Sequence, residues 1–539
     1  MFRHRLPKIL LLTATFVLAS CDSSLFISSS LDDTSSPTSS LTSTSSSLSD
    51  TSSVSASSSA ASSSSASTTS SSPSTESSTS SSSSASSSQW PDDPINDVTV
   101  LDFYNFNDFH GTVEYAPDAT VAEPGINRLA NYIKTKRSLN SDGFVLTSSG
   151  DMWQGSADSN ITRGRLVTDA MNLMGFDAMA IGNHEFDWGT DVIRSNATLA
   201  NYPFLGTNII QKSTGQRADF AQSHTMIERA GVRIGIIGTI GPGLEGSILT
   251  SVVADYSFNP IDSYVAAAAS ELEQQGAHIT ILLNHDGDVS YGALDYVDLV
   301  FNGHAHAYDV SISNNTPIIQ ARSNGVAVGF AKLQYDKRTD TVTTLSYGVD
   351  DYLGNKDLAE DPDMAALYAD YYEREIREIK EEIIGAATYS FSRSQIGNLT
   401  VAEMLEYGST YGAVAAIHNT GGIRASIPSG PVTFGDVYKA LPFDNDLIVF
   451  NLTGSQLKTW LSRYIYVAGV DKYNYTFDHN GQTIVNSQTY KIISISYLTE
   501  DIEDYPHDVA SELNTHAFAR DLVADKWRAT GAINPYDYS

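Results

Sequence analysis

Several apolar runs in this chain end abruptly in polar residues whose types and spacing define the chemistry open to it. Asp108 and His110 follow the run in "VTVLDFYNFNDFHG", Asp151 ends "FVLTSSGD", and Asn183 and His184 stand in "AMAIGNHE". His285 stands in "ITILLNHDGD", while His304 and His306 close "VDLVFNGHAH". An isolated histidine in such a place is ordinarily a hydrogen-bonded structural residue. Recurrence of the same polar ending after five separate runs demands a shared partner instead, because buried polar groups cost free energy unless something satisfies them. Imidazole, carboxylate and amide oxygen together suit a divalent cation of intermediate hardness, and the lack of cysteine ligands argues against a purely structural zinc site.

The runs themselves are elements that would position such a cage. Each reads as a buried strand, and helical patterns lie between some of them, as at 125–136 and 165–174. Strands alternating with helices predict an α/β layer architecture, in which sites gather beyond the carboxyl ends of the strands. Near Asp361 the pattern changes. Asp361 can cap a helix, Pro362 suits its first turn, and Met364, Leu367, Tyr368, Tyr371, Tyr372, Ile376, Ile379 and Ile383 recur at helical spacing up to Gly385. This predicts a linker helix over 356–385. A second α/β region follows over 386–539, its clearest strand-to-loop segments being "AAIHNTGGIRASI" and "YKIISISYL".

The motifs "NDFHG", "GDMWQGS", "GNHEFDWG", "NHDGD" and "GHAH" occur in the order seen in the calcineurin-like metallophosphoesterases, and their wording resembles the 5'-nucleotidase branch. The match covers about 98–351, and "HNTGGIRASI…GDVYKALPFDN" resembles that branch's C-terminal domain. The resemblance implies a four-layer α/β metallophosphoesterase sandwich over 96–355 and a C-terminal α/β substrate-binding domain. It also implies two divalent metal ions, zinc, manganese or similar. Asp108, His110 and His306 would hold one and Asn183, His285 and His304 the other, with Asp151 bridging. Two cations about 3.5–4 Å apart, sharing a water that becomes hydroxide near neutral pH, would supply a nucleophile for in-line attack on phosphorus. The resemblance pairs His184 with Asp187, so that a charged, oriented imidazole could stabilise the phosphoryl group or protonate the leaving alkoxide. Glu185 is read as a structural hydrogen-bond acceptor.

The substrate side rests on the same resemblance. Asn419 and Arg424 of "HNTGGIR" would contact substrate, the glycines including Gly422 letting a backbone approach and the guanidinium gripping a phosphate. Phe443 of "LPFDN" and Tyr497 of "SISYL" match the two aromatics between which this branch stacks a nucleobase. The sequence departs from the pattern in two places. Ser390 stands where an arginine is usual, six residues before the hydrophobic residue of "IGNL", and Arg393 is the nearby substitute. "YLTEDIEDY" lacks the glycine pair and aspartate that normally follow the second aromatic.

The 539 residues are too many for one ordinary domain. Residues 1–20 carry three basic groups and a short apolar run, which reads as a signal peptide; the run is shorter than the roughly 20 apolar residues that span a bilayer. "LASC" resembles a bacterial lipobox, which implies a lipid on Cys21 and an exported protein anchored to the outer face of the bacterial cell membrane. That single cysteine leaves no thiol chemistry and no internal disulfide. Residues 21–95 read as a disordered tether, whose overwhelmingly serine stretch over 22–89 would reach about 45 Å on average. The net charge of −31 argues against nucleic-acid polymers and anionic membrane surfaces as electrostatic partners.

The expected activity is release of phosphate from nucleotides, foremost nucleoside 5'-monophosphates. The alternative on the same site is a cyclic-nucleotide phosphodiesterase or a nucleotide-sugar or diphosphate hydrolase. An alternative of another class is a catalytically dead surface lipoprotein that binds a nucleotide or a partner. Presence of every expected ligand and of the His184–Asp187 pair speaks against decay.

Overall fold

Period-two alternation sends neighbouring side chains of each buried strand to opposite faces, and the two faces here belong to different cores. The computed structural model describes residues 97–539 except Glu503. The expected signal peptide, the lipid-bearing Cys21 and the serine-rich tether lie outside the described residues. In chain order the N-terminal strands are β1 (Val98–Asn105), β2 (Phe144–Ser148), β3 (Ala178–Ala180), β4 (Phe204–Leu205), β5 (His224–Arg229) and β6 (Val232–Ile240). They continue as β7 (Ile279–His285), β8 (Leu299–Asn302), β9 (Tyr308–Ser313), β10 (Thr316–Ala321), β11 (Val328–Asp336) and β12 (Thr341–Asp350). One sheet has the order β12-β11-β1-β2-β3-β4, the other β9-β10-β8-β7-β6-β5.

Leu101 and Phe103 of β1, Val145 of β2, Ile234 and Ile236 of β6, and Ile279, Ile281 and Leu283 of β7 meet in one core between the two sheets. The alternate residues face outward. Phe144 and Leu146 pack on α1 (Gly125–Ser138) and α2 (Arg165–Met174), and Leu282 packs on α3 (Asp262–Gln274). Helix, sheet, sheet and helix make the expected four layers. In α1 the residues Ile126, Leu129, Ala130 and Ile133 are buried, the spacing of one helical face. Each large side chain so buried contributes about 1.5–3 kcal/mol.

Parallel register aligns the strand ends that matter. Asn105 pairs with Thr147, Ser148 with Met179, and Asn284 with Asn302. The loops after β1, β2, β3, β7 and β8 therefore emerge along one edge of the sandwich.

The linker begins as the sequence indicates. Asp361 accepts hydrogen bonds from the amides of Asp363 and Met364, both at 3.0 Å, and Pro362 opens helix α4 (Pro362–Tyr371). Its end does not follow the expectation. A π-helical turn over Tyr372–Ile376 and a short continuation Arg377–Lys380 end the helix, and residues 383–387 form a strand. The wider turn rotates the buried stripe, so Ile376 stays buried while Ile379 and Ile383 are exposed. Ile383 and Gly385 are thus strand residues rather than the last helical turn.

Beyond the linker, five strands, Ile465–Ala468, Ala415–Asn419, Thr489–Ile495, Asp446–Thr453 and Asp508–Phe518, form one sheet in that order. Helices over Arg393–Ser409 and Ala519–Thr530 belong to the same part of the chain, the first opened by a capping box between Ser392 and Gln395. Among the described residues no helix is long and apolar enough to cross a membrane.

Candidate active site

Asp108, His110, Asp151, His304 and His306 all hold left-handed backbone, with φ of 50, 50, 56, 67 and 54°. For residues other than glycine such a conformation costs on the order of 1–3 kcal/mol each and persists only where surrounding bonds over-determine it. Those bonds are present. The amide of Asp108 donates to Gly150 O at 2.9 Å, that of His110 to Asp151 O at 3.1 Å and that of Gly111 to Met152 O at 2.9 Å, which zips the loops after β1 and β2 together. The Glu185 carboxylate accepts from the amides of Gly182 at 2.7 Å, Met152 at 2.8 Å and Asp151 at 2.9 Å, tying the loop after β3 to the loop after β2. Gly182 lets that loop approach closely, since a Cβ there would stand 2.3 Å from an Asp151 oxygen.

Two groups of metal-competent atoms result. Asp108, His110 and His306 converge in one, and Asp151, His285 and His304 in the other. His110 Nε2 lies 3.0 Å from His306 Nε2, and the latter 3.4 Å from Asp108 Oδ1. His285 Nε2 lies 3.2 Å from Asp151 Oδ2 and 3.1 Å from Asn183 Oδ1, which in turn is 3.0 Å from His304 Nδ1. The groups adjoin, because the His304 amide donates to both oxygens of Asp108 at 3.0 Å.

The donor set fits divalent cations. His110 Nδ1 faces Gln154 O at 2.8 Å and His285 Nδ1 faces Ser149 O at 2.7 Å, so each ring's other nitrogen is left with its lone pair turned inward. A backbone carbonyl behind each imidazole is the usual support of a metal ligand. Nitrogen lone pairs, a carboxylate and an amide oxygen brought to about 3 Å repel one another unless a positive centre stands among them. Without a metal, protons must serve. Burial alone would lower the His285 pKa, but Asp151 and Asp108 push it up to about 10, whereas burial drives His110 down to about 3.

Beside these groups, His184 Nδ1 is 2.9 Å from Asp187 Oδ2, and its amide donates to Asp151 Oδ1 at 2.8 Å. Burial disfavours the charged ring, yet the charges of Asp187 and Asp151 outweigh it and raise the His184 pKa to about 9. Cations on Asp151 would remove part of that support and leave Asp187 as the main anchor.

A cavity of ≈ 250 Å³ joins this edge to the C-terminal sheet. Asn183, His184, Asp187 and His304 line one side, and Asn419, Gly422, Arg424, Phe443 and Tyr497 line the other. Asn419 ends its strand, Gly422 closes the short turn Thr420–Gly422, and Tyr497 stands in the first turn of a short helix Ser496–Glu500. Phe443 lies 6.1 Å from His184 between ring centroids, and the Arg424 guanidinium carbon 5.9 Å from the Phe443 ring. Asn160 of the N-terminal part donates to Pro442 O at 3.1 Å, fixing the approach. Asn419 Oδ1 is buried without a hydrogen-bond partner among the described residues, a group that a ligand donor would satisfy.

Arg393 does not line this cavity; its Nε–H donates to Ile423 O at 2.8 Å, behind Arg424. Ser390 accepts from the Ser429 amide at 3.1 Å. Sequence reasoning passes over Gln154, Trp188, Asp444 and Asn445, all of which line the cavity. Each sits inside a motif already quoted, where only its neighbours carry an obvious chemical signal.

Residues 376–507 match the family described as 5'-nucleotidase, C-terminal domain. Endonuclease YhcR of Bacillus subtilis is 25% identical over 421 residues, which cover 70% of this chain and 34% of that protein. The chain thus spans about a third of that relative's length. Protein UshA of Yersinia enterocolitica is 25% identical over 433 residues, covering 69% of this chain and 77% of that protein. The crystal structure of a 5'-nucleotidase precursor from Thermus thermophilus superposes with a TM-score of 0.67 at 20% identity, over 81% of this chain and 97% of that one. Residues 376–507 thus carry a 5'-nucleotidase C-terminal domain, and the two-part fold as a whole is similar to that of proteins named 5'-nucleotidase and UshA.

Proposed function

We propose that the protein releases phosphate from nucleotides, with nucleoside 5'-monophosphates as the principal substrates, using two divalent metal ions. The observation that carries this reading is the single cavity in which the histidine- and aspartate-lined strand ends face Arg424, Phe443 and Tyr497. Asp108, His110 and His306 would hold one cation and Asn183, His285 and His304 the other, with Asp151 as the shared ligand. When bound, the cations activate a water for attack on phosphorus and neutralise phosphoryl oxygens.

The remaining work falls to side chains. Arg424 grips the phosphate with parallel N–H donors and holds it in line. His184, kept cationic by Asp187, sits where it can stabilise the phosphoryl group or give a proton to the departing alkoxide. Phe443 and Tyr497 hold the base, and Asn419 offers an acceptor. Arg393 acts from behind Arg424. Export and attachment through Cys21 would place this activity outside the bacterial cell membrane, where a relative such as a Listeria monocytogenes cell wall protein also carries the resemblance.

A second reading has its own support. With Ser390 turned to Ser429 and Arg393 bonded to Ile423 O, Arg424 is the arginine that lines the cavity among the described residues, a lighter phosphate grip than the family pattern implies, which favours cyclic nucleotides or nucleotide diphosphate derivatives. Phosphate release from AMP, a cyclic nucleotide and a nucleotide sugar, measured on metal-stripped and reconstituted protein, separates the two. Efficient release from AMP alone supports the first reading, and turnover confined to the other two overturns it.

A further inference from the structure

One carboxylate in the cavity wall has no part in the chemistry above. Asp444 follows Phe443 and lines the cavity. Its Oδ1 accepts from the Arg520 guanidinium at 2.7 Å, and no donor among the described residues reaches its Oδ2. Arg520 is itself buried, 6% exposed, with its guanidinium 3.8 Å over the ring of Tyr438 and a second N–H directed at Leu441 O at 3.4 Å. Planar stacking and a fork of donors leave this arginine one orientation, so the carboxylate it holds is fixed as well.

The charge balance selects the ligand. Arg520 already neutralises Asp444, so a cationic group would gain little there and a second phosphate would meet a lone pair. A neutral hydroxyl donating to Oδ2 would gain a charge-assisted hydrogen bond. Position selects the hydroxyl's place in the molecule. Asp444 lines the same cavity as His184 and Asp187, on whose side the phosphate would sit, and as Phe443, on which the base would stack. In a nucleotide the sugar lies between phosphate and base.

We propose that Asp444 is a specificity-determining residue that accepts the sugar hydroxyls of the substrate, and that Arg520 is the positioning residue that aims it. The assignment rests on the nucleotide reading and narrows it to ribonucleotides over their deoxy counterparts.

The test compares kcat/KM for AMP and 2',3'-dideoxy-AMP, with p-nitrophenyl phosphate as a substrate that has no sugar. The unsubstituted protein is expected to prefer AMP over the dideoxy compound by about tenfold or more, the usual worth of a hydrogen bond to a charged acceptor. In Asp444→Asn that ratio should fall to within about twofold of unity. Arg520→Met should raise KM for AMP more than it lowers kcat, and Arg520→Lys should recover part of the preference. A merely structural role would lower melting temperature and kcat together without moving the ratio. Should Asp444→Asn fail to fold, Asp444→Ser serves in its place. A ratio unchanged by the substitution overturns the proposal, as does AMP turnover with no hydroxyl preference. If the unsubstituted protein turns over p-nitrophenyl phosphate and not AMP, the nucleotide reading falls and takes this proposal with it.

Discussion

The ring of Phe443 stands 6.1 Å from the imidazole of His184, tilted by 33°, so a C-terminal aromatic and an N-terminal strand-end histidine form one wall. On the proposed reading, a nucleotide stacked on Phe443 would bring its phosphate within reach of His184. Replacing Phe443 by alanine is expected to raise KM for AMP by about tenfold, with little change for p-nitrophenyl phosphate. Equal losses on both substrates would show that the ring supports the histidine rather than the base.

His184→Ala should retain both metals and lose about 10²- to 10⁴-fold in kcat, the range typical of a general acid. Elemental analysis alongside steady-state kinetics checks this. Loss of metal together with rate would place His184 among the ligands instead.

Asp151→Ala is expected to abolish turnover and to lower metal stoichiometry, because the carboxylate that faces His285 and anchors the His184 amide disappears. Full stoichiometry in this variant would refute the bridging role.

Glu185 holds three backbone amides of two strand-end loops through its side chain. Its replacement by alanine should weaken metal affinity about 10- to 100-fold, as loss of an outer support commonly does. Competition with a chelator of known affinity measures the change, and unaltered affinity would show that the left-handed loops hold themselves.

Lys380, at the end of the linker, lies 2.6 Å from the buried Asp158 and 2.8 Å from Glu114. Tyr368 also donates to Asp158, at 2.6 Å. Lys380→Met leaves the buried Asp158 carboxylate without its cationic partner, held only by the Tyr368 hydroxyl, and should cost about 3–5 kcal/mol of stability in urea unfolding. Adding Asp158→Asn should restore part of that loss.

Much of this could be read in the chain before it folds. Strand runs such as "ITILLNH" and the polar residues that end them are local facts, since burial on both faces requires an unbroken apolar run and a strand must stop where it meets solvent or a ligand. The helix start at Asp361 was legible for the same reason, its capping chemistry lying within four residues. The π-turn at 372–376 was not, because periodicity assumes a constant turn and the apolar residues beyond it fit either course.

Residue identities thus specified the donor set, the strand-end positions and the family wording. Which donors converge, that Arg393 stands behind Arg424 while Gln154 and Asp444 line the cavity, and that Phe443 meets His184 were decided only by tertiary structure. Register between strands and the closing of one sheet on another depend on contacts between residues far apart in the chain, and no local pattern carries those distances.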